Sequence, residues 1–168
     1  TYHGAIYAVV ESLAKLVAAG VDYKTARLSF QEYFEKLGKD AYKWSKPFLA
    51  LLGAMKAQKD FDVAAIGGKD SMSGTFNDIS VPPTLISFAV SPVNIHDVIS
   101  TEFKKAKNKL YLVENKIDEK DFLFNSEELK ENFEFVLKNI KDKKIVSAMV
   151  IKMGVLAEAL SKMSFGNR

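Results

Sequence analysis

Val63-Ala64-Ala65-Ile66-Gly67-Gly68-Lys69-Asp70-Ser71-Met72-Ser73-Gly74-Thr75 sets an apolar tetrad against a run of glycines and small hydroxyls around a single Lys-Asp pair. The tetrad Val63 to Ile66 has the length and composition of a short buried strand, and the polar run behind it reads as a turn. Glycine and serine leave the main chain open to a ligand, which makes Gly67, Gly68, Lys69, Asp70, Ser71 and Ser73 the candidate binding residues. In that reading Lys69 is the charge partner of a phosphate or carboxylate. Asp70 is a hydrogen-bond acceptor or metal-associated group, and the two serines are donors. Downstream, Val81-Pro82-Pro83 marks a turn into a second buried strand, Thr84 to Val90, so the polar segment is expected between two sheet elements.

The segment is not a nucleotide-hydrolase phosphate loop. That motif needs a glycine five residues before the Gly-Lys pair and a Ser or Thr after it, and the positions here hold Val63 and Asp70. Exposed amides and a lysine still suit a phosphate by the same electrostatics. The plainer alternative is a tight turn whose glycines serve positive φ.

Upstream, Ala5, Val9, Leu13, Leu16 and Val17 recur at helical spacing and Gly20 supplies a stop, so His3 to Ala19 is expected to be an amphipathic helix. A shorter helix is expected over Phe30 to Leu37, ended by Gly38. Ser45 and Pro47 mark the start of another, reaching about Lys59, with Phe48, Leu51, Leu52 and Met55 as its buried stripe and Trp44 anchored in the core. Pro92 and Asn94 break the pattern before a mixed segment from His96 to Lys107. Beyond it, Lys109 to Val113 reads as a strand, and Ser126 caps a helix running to about Asn139. Ile145 to Ile151 reads as a buried strand, and Leu156, Ala159, Leu160 and Met163 define a last helix. The alternation argues for an α/β (α+β) chain in two parts, 1–98 and 99–168, with the change near residues 97–101.

Composition narrows the function classes. A chain of 168 residues, 48% hydrophobic, has ample material for a packed core. Its net charge of +3 comes from 24 basic and 21 acidic residues that are largely interspersed, which implies no strong field for nucleic acid or acidic lipid. Lys104-Lys105-Ala106-Lys107-Asn108-Lys109 is the exception, and without an interleaved aromatic platform it reads as a solvated connector. Cysteine is absent, so disulfides, thiolate metal sites and cysteine nucleophiles are excluded. No apolar run approaches the roughly 20 residues of a membrane helix, and a cytoplasmic location is expected. His3 and His96 lack metal-ligand spacing, and Met72, Met149, Met153 and Met163 read as core filler. The chain opens without methionine directly into a helical pattern and closes at Phe165-Gly166-Asn167-Arg168 just past another, as a segment of a longer protein would.

Ala65-Ile66-Gly67-Gly68-Lys69-Asp70-Ser71-Met72-Ser73, Val81-Pro82-Pro83-Thr84-Leu85-Ile86-Ser87-Phe88-Ala89 and Leu160-Ser161-Lys162-Met163-Ser164-Phe165-Gly166 together resemble the phosphoribosylformylglycinamidine synthase family, large purine-pathway type, over essentially the whole chain. The resemblance implies a partial second N-terminal domain of the aminoimidazole ribonucleotide synthetase type (1–98) joined to the beginning of its C-terminal domain (99–168). It implies an ATP-dependent ligase that uses Mg2+ and ATP: the formamide oxygen of formylglycinamide ribonucleotide is phosphorylated, and glutamine-derived ammonia displaces it to give the amidine. The partners implied are ATP, formylglycinamide ribonucleotide, the rest of the synthase and its glutaminase domain. The glutaminase step needs a cysteine, so it belongs to another domain.

The site residues carry over unevenly. A family helix bears Glu-x-x-x-Asn, both side chains ligating magnesium; the matching segment Glu11-Ser12-Leu13-Ala14-Lys15 keeps the carboxylate, so Glu11 is the metal candidate, but places an ammonium where the amide was. Lysine cannot ligate when charged, although it replaces a cation's charge, and an i,i+4 ion pair is the simplest account of both residues. The family's His-Asp-x-Ser-Asp-Gly-Gly run corresponds to Met149-Val150-Ile151-Lys152-Met153-Gly154-Val155, which has lost its carboxylates and serine and keeps Lys152 as a phosphate contact or a snorkelling side chain. The alternative function is a non-catalytic structural module with a degenerate nucleotide site. A domain of this kind without its pseudo-symmetric partner is also expected to self-associate across its exposed sheet surface.

Overall fold

The computed structural model describes residues 1–166. The chain is mixed α and β, with four α-helices and small sheets among those residues. It separates into two compact units, one of Thr1–Ser12 with Lys24–Val90, the other of Leu13–Tyr23 with the chain from Ser91 onward.

Helix α1 (Tyr2–Ala18) is the amphipathic helix its spacing predicts, with Ala5, Ile6, Val9, Leu13 and Val17 buried. It ends in a paired-bond cap: Gly20, at φ +90°, donates to the Val17 carbonyl and Val21 donates to that of Leu16, both at 2.9 Å.

In the first unit, β1 (Arg27–Tyr33) lies between β2 (Ala64–Ser71), to which it is parallel, and β5 (Thr84–Val90), to which it is antiparallel. The expected helix over Phe30 to Leu37 is therefore wrong: the central strand of the sheet runs through its first half, burying Leu28 and Glu32 while Arg27 and Tyr33 face solvent. Two parallel neighbours need a crossover, and α2 (Ala41–Phe61) supplies it. Asp40 caps α2, its carboxylate accepting from the amides of Tyr42 (2.9 Å) and Lys43 (3.4 Å), so the helix starts ahead of the Ser45-Pro47 signal and carries Pro47 inside. A short hairpin of β3 (Thr75–Phe76) and β4 (Ile79–Ser80) turns at Asn77, φ +54°.

The buried side of α2 is also the reverse of the expected one. Pro47, Ala50, Gly53, Ala54, Ala57 and Phe61 face inward, whereas Phe48, Leu51, Leu52 and Met55 are exposed and Trp44, half exposed, gives its indole N–H to the Gly38 carbonyl at 3.0 Å. The reason is close approach. A Cβ at Gly53 would run into the Tyr2 carbonyl oxygen and lie 3.1 Å from the Ala5 Cβ, so only a small-residue face fits against α1. Ala5, Phe34, Leu37 and Ala50 form a core cluster, with Met72 and Leu85 packed on it.

The second unit holds α3 (Ser126–Lys141) and α4 (Val155–Ser164). Asn125 rather than Ser126 caps α3, accepting from the amides of Glu127 (2.9 Å) and Glu128 (3.2 Å), and the acidic first turn and basic last turn suit the helix dipole. Tyr23 meets Phe133 edge to face at 5.3 Å between ring centres, and the Ala19 carbonyl accepts from Ile99 at 3.1 Å. The strands expected at Lys109 to Val113 and Ile145 to Ile151 do not form among the described residues; the first stretch is exposed, the second mostly half-buried, and neither enters a ladder. Of the methionines read as filler, Met163 is buried and Met153 is fully exposed.

Candidate functional site

Two places hold the sequence-predicted residues other than Glu11. The first is β2. Gly67, Gly68, Lys69, Asp70 and Ser71 do not form a turn after the strand; they are the strand, pairing with Ser29, Phe30, Gln31, Glu32 and Tyr33 in parallel register. The irregularity comes earlier, where Leu28 faces Ala65 and Ser29 faces Gly67, leaving Ile66 as an extra residue, 70% exposed. Gly68 has a packing reason: a Cβ there would sit 2.6 Å from the Phe30 carbonyl oxygen. Gly67 has open space around it. Past the strand, Ser71 accepts at its carbonyl from Phe34 (2.8 Å), Gly74 donates to the Phe34 carbonyl (3.0 Å), and the Ser71 and Ser73 hydroxyls stand 3.4 Å apart. The expected nest of amides is thus replaced by an edge strand whose Lys69 and Asp70 side chains face solvent.

Beside this strand lies a residue that sequence reading did not single out. Glu32, cross-strand from Asp70, is only 5% exposed, and its Oε1 has no hydrogen-bond partner. Burial, with the Asp70 charge adding to it, raises its pKa above the usual carboxyl value. An acidic residue alternating with Leu28 and Phe34 on a strand was the available signal, hidden by the helical reading of the segment.

The second place is a cavity of about 300 Å³ in the other unit, lined by Lys15, Lys152 and Lys162, by Thr101 and Glu158, and by apolar side chains including Ile99, Met149 and Val150. Lys15 comes from the last turn of α1, Lys152 from the segment before α4, and Lys162 from α4 itself. Lys162 is bonded to Glu158, which holds that carboxyl below its usual range, and Glu158 Oε2 accepts from the Gly154 amide at 2.9 Å. Three lysines against the one carboxylate of Glu158 leave the lining net positive beside an apolar wall, which suits an anionic ligand with a nonpolar part. Lys15 and Lys152 both lie in the segments that depart from the family's metal-ligand motifs, Lys15 at the position of the amide and Lys152 at that of the serine.

Glu11, the candidate magnesium ligand, is half-buried on α1. Magnesium takes oxygen ligands in near-octahedral array. Among the described residues no three His, Cys, Asp or Glu side chains come together to hold an ion, and the position four residues on from Glu11 is Lys15. The donor set here does not fit a resident magnesium. No helix among the described residues is long and apolar enough to cross a membrane. Comparison with protein-family models, curated proteins and solved structures finds no match for the chain.

Proposed function

We propose that this chain is part of an ATP-dependent amide-to-amidine ligase of purine biosynthesis, of the phosphoribosylformylglycinamidine synthase kind, and that its own contribution is to hold phosphate by lysine. The observation that carries the reading is the convergence of Lys15 and Lys152 on one cavity with Lys162 and Thr101. Ammonium groups stabilise a polyphosphate by charge without the geometric demands of a metal ion. Thr101 adds a hydroxyl, and Ile99, Met149 and Val150 offer an apolar wall to a base or sugar edge. Thiol chemistry has no place on this segment, which lacks cysteine, so in this reading ammonia production lies with another domain.

The second reading, a structural module with a degenerate nucleotide site, is favoured by the glycine-rich motif lying in a ladder and by the lack of an acidic cluster among the described residues. Titration calorimetry separates the two, using ATP with and without magnesium, and formylglycinamide ribonucleotide, on this chain and on the full-length protein. ATP binding to the chain that persists without magnesium and is lost in Lys15→Ala/Lys152→Ala supports phosphate holding. Binding by the full-length protein alone, unchanged in that variant, assigns the chain to the scaffold.

A further inference from the structure

The outward side of α2 is an uncovered apolar stripe. Between Trp44 and Lys59 every exposed residue other than Lys59 is apolar: Trp44, Phe48, Leu49, Leu51, Leu52 and Met55, between 39% and 61% exposed. At 100° per residue, Trp44, Phe48, Leu51, Leu52, Met55 and Lys59 share one sector of about 100°, nearly opposite the small residues that face inward. Such a stripe on a water-facing helix marks a contact surface.

The order of side chains along the stripe identifies the occupant. Laid antiparallel against its own copy about a two-fold axis between Leu51 and Leu52, the helix brings Trp44 opposite the second copy's Lys59, Phe48 opposite Met55, and Leu51 opposite Leu52. Each pair is favourable: an ammonium on an indole face, a thioether against an aromatic ring, and two leucines at the centre. Each occurs twice, as an isologous contact requires. The remaining α2 charges do not oppose the pairing, because Lys43 and Lys46 are bound to Glu35 and Lys56 is bound to Asp60 at 2.7 Å. We propose that two copies of this chain associate through α2 in antiparallel register, with Trp44 of each copy against Lys59 of the other.

Light scattering across a concentration series is expected to show a dimer, and Phe48→Glu, at a solvent-facing position, to give a monomer with an unchanged far-UV spectrum and a melting temperature that no longer depends on concentration. Because the wild-type chain has no cysteine, orientation is read by cross-linking. Under mild oxidation an equimolar mixture of Phe48→Cys and Met55→Cys is expected to form the mixed disulfide several-fold faster than either variant forms its own. A monomer at every concentration overturns the proposal. So does a dimer that survives Phe48→Glu, which places the contact on the sheet instead, or a Phe48→Cys homodisulfide as fast as the mixed one, which means parallel or random encounter. Capture by anionic vesicles with no dimer in solution overturns it in favour of a lipid surface.

Discussion

In the unit built around β1, the apolar stretches Leu28 to Phe34 and Thr84 to Val90 enter a ladder or the core against it; in the other unit, Lys109 to Val113 and Ile145 to Ile151 have equal β character and no ladder. The first unit is fixed by backbone pairing and by glycines placed where neighbouring chains nearly touch. The second is fixed by side-chain anchors, chiefly Tyr23 on Phe133, Ile140 beside Gly20, and Met163, whose carbonyl accepts from Phe103. Its lysine-lined cavity occupies the less regular part. The glycine-rich motif and the lysine-lined cavity are thus located in different architectures.

The comparison is broken most strongly at the helix crossing. Gly53→Leu forces a side chain into the Tyr2 carbonyl, and a loss of roughly 4 kcal/mol in urea unfolding is expected, at the upper end for overpacking against backbone. Phe133→Ala removes the ring that meets Tyr23 and is expected to cost about 3 kcal/mol, showing that the second unit depends on single anchors. Equal effects from the two substitutions would erase the distinction between backbone fit and side-chain anchoring.

Within β2 the paired test is Gly68→Ala against Gly67→Ala. The first meets the Phe30 carbonyl and is expected to cost about 2 kcal/mol; the second meets open space and is expected to stay within about 0.5 kcal/mol. If Gly67→Ala is the costlier change, the glycines serve something other than strand packing.

Glu32→Gln is the smallest and goes the other way. A carboxyl whose folded pKa is raised contributes stability that is fully present below its unfolded pKa and is lost as pH rises through the folded value. The variant is therefore expected to match wild type in acid and to become more stable by about 1 kcal/mol near neutral pH, as a buried charge that also faces Asp70 is removed. Glu102, held at about 2 by Lys104 and then Ser100, has the opposite sign, its ion pair persisting until strong acid. Thermal melts across pH that show no difference between Glu32→Gln and wild type would mean that the carboxylate is satisfied.

Much of the helical content was legible, because α1, α3 and α4 announce themselves by the spacing of their apolar residues, and the caps expected at Gly20 and Ser126 lie within one or two residues of the observed ends of α1 and α3. Phe30, Tyr33, Phe34 and Leu37 misled because their i, i+3, i+4, i+7 spacing is helical, while at period 2 they fall on opposite faces; the strand was chosen by β2 and β5, remote in sequence. The stripe of α2 misled because large apolar residues are ordinarily the buried ones; only the crossing at Gly53 shows that the small face had to turn inward. The candidate site divides the same way. Lys15 and Lys152 were visible as departures from a pattern, but their shared cavity depends on elements more than a hundred residues apart. Glu32 gave only its alternation with Leu28 and Phe34 as a local sign, which the helical reading hid, and its burial is a property of the sheet.

The extra residue at Ile66 has a bearing on how this chain behaves when concentrated. A border strand whose step is broken by one residue, and which then presents Lys69 and Asp70, is a poor template for an incoming segment, because no straight neighbour can match its donors and acceptors in sequence. That break in shape disfavours the growth of ordered fibrils from that side.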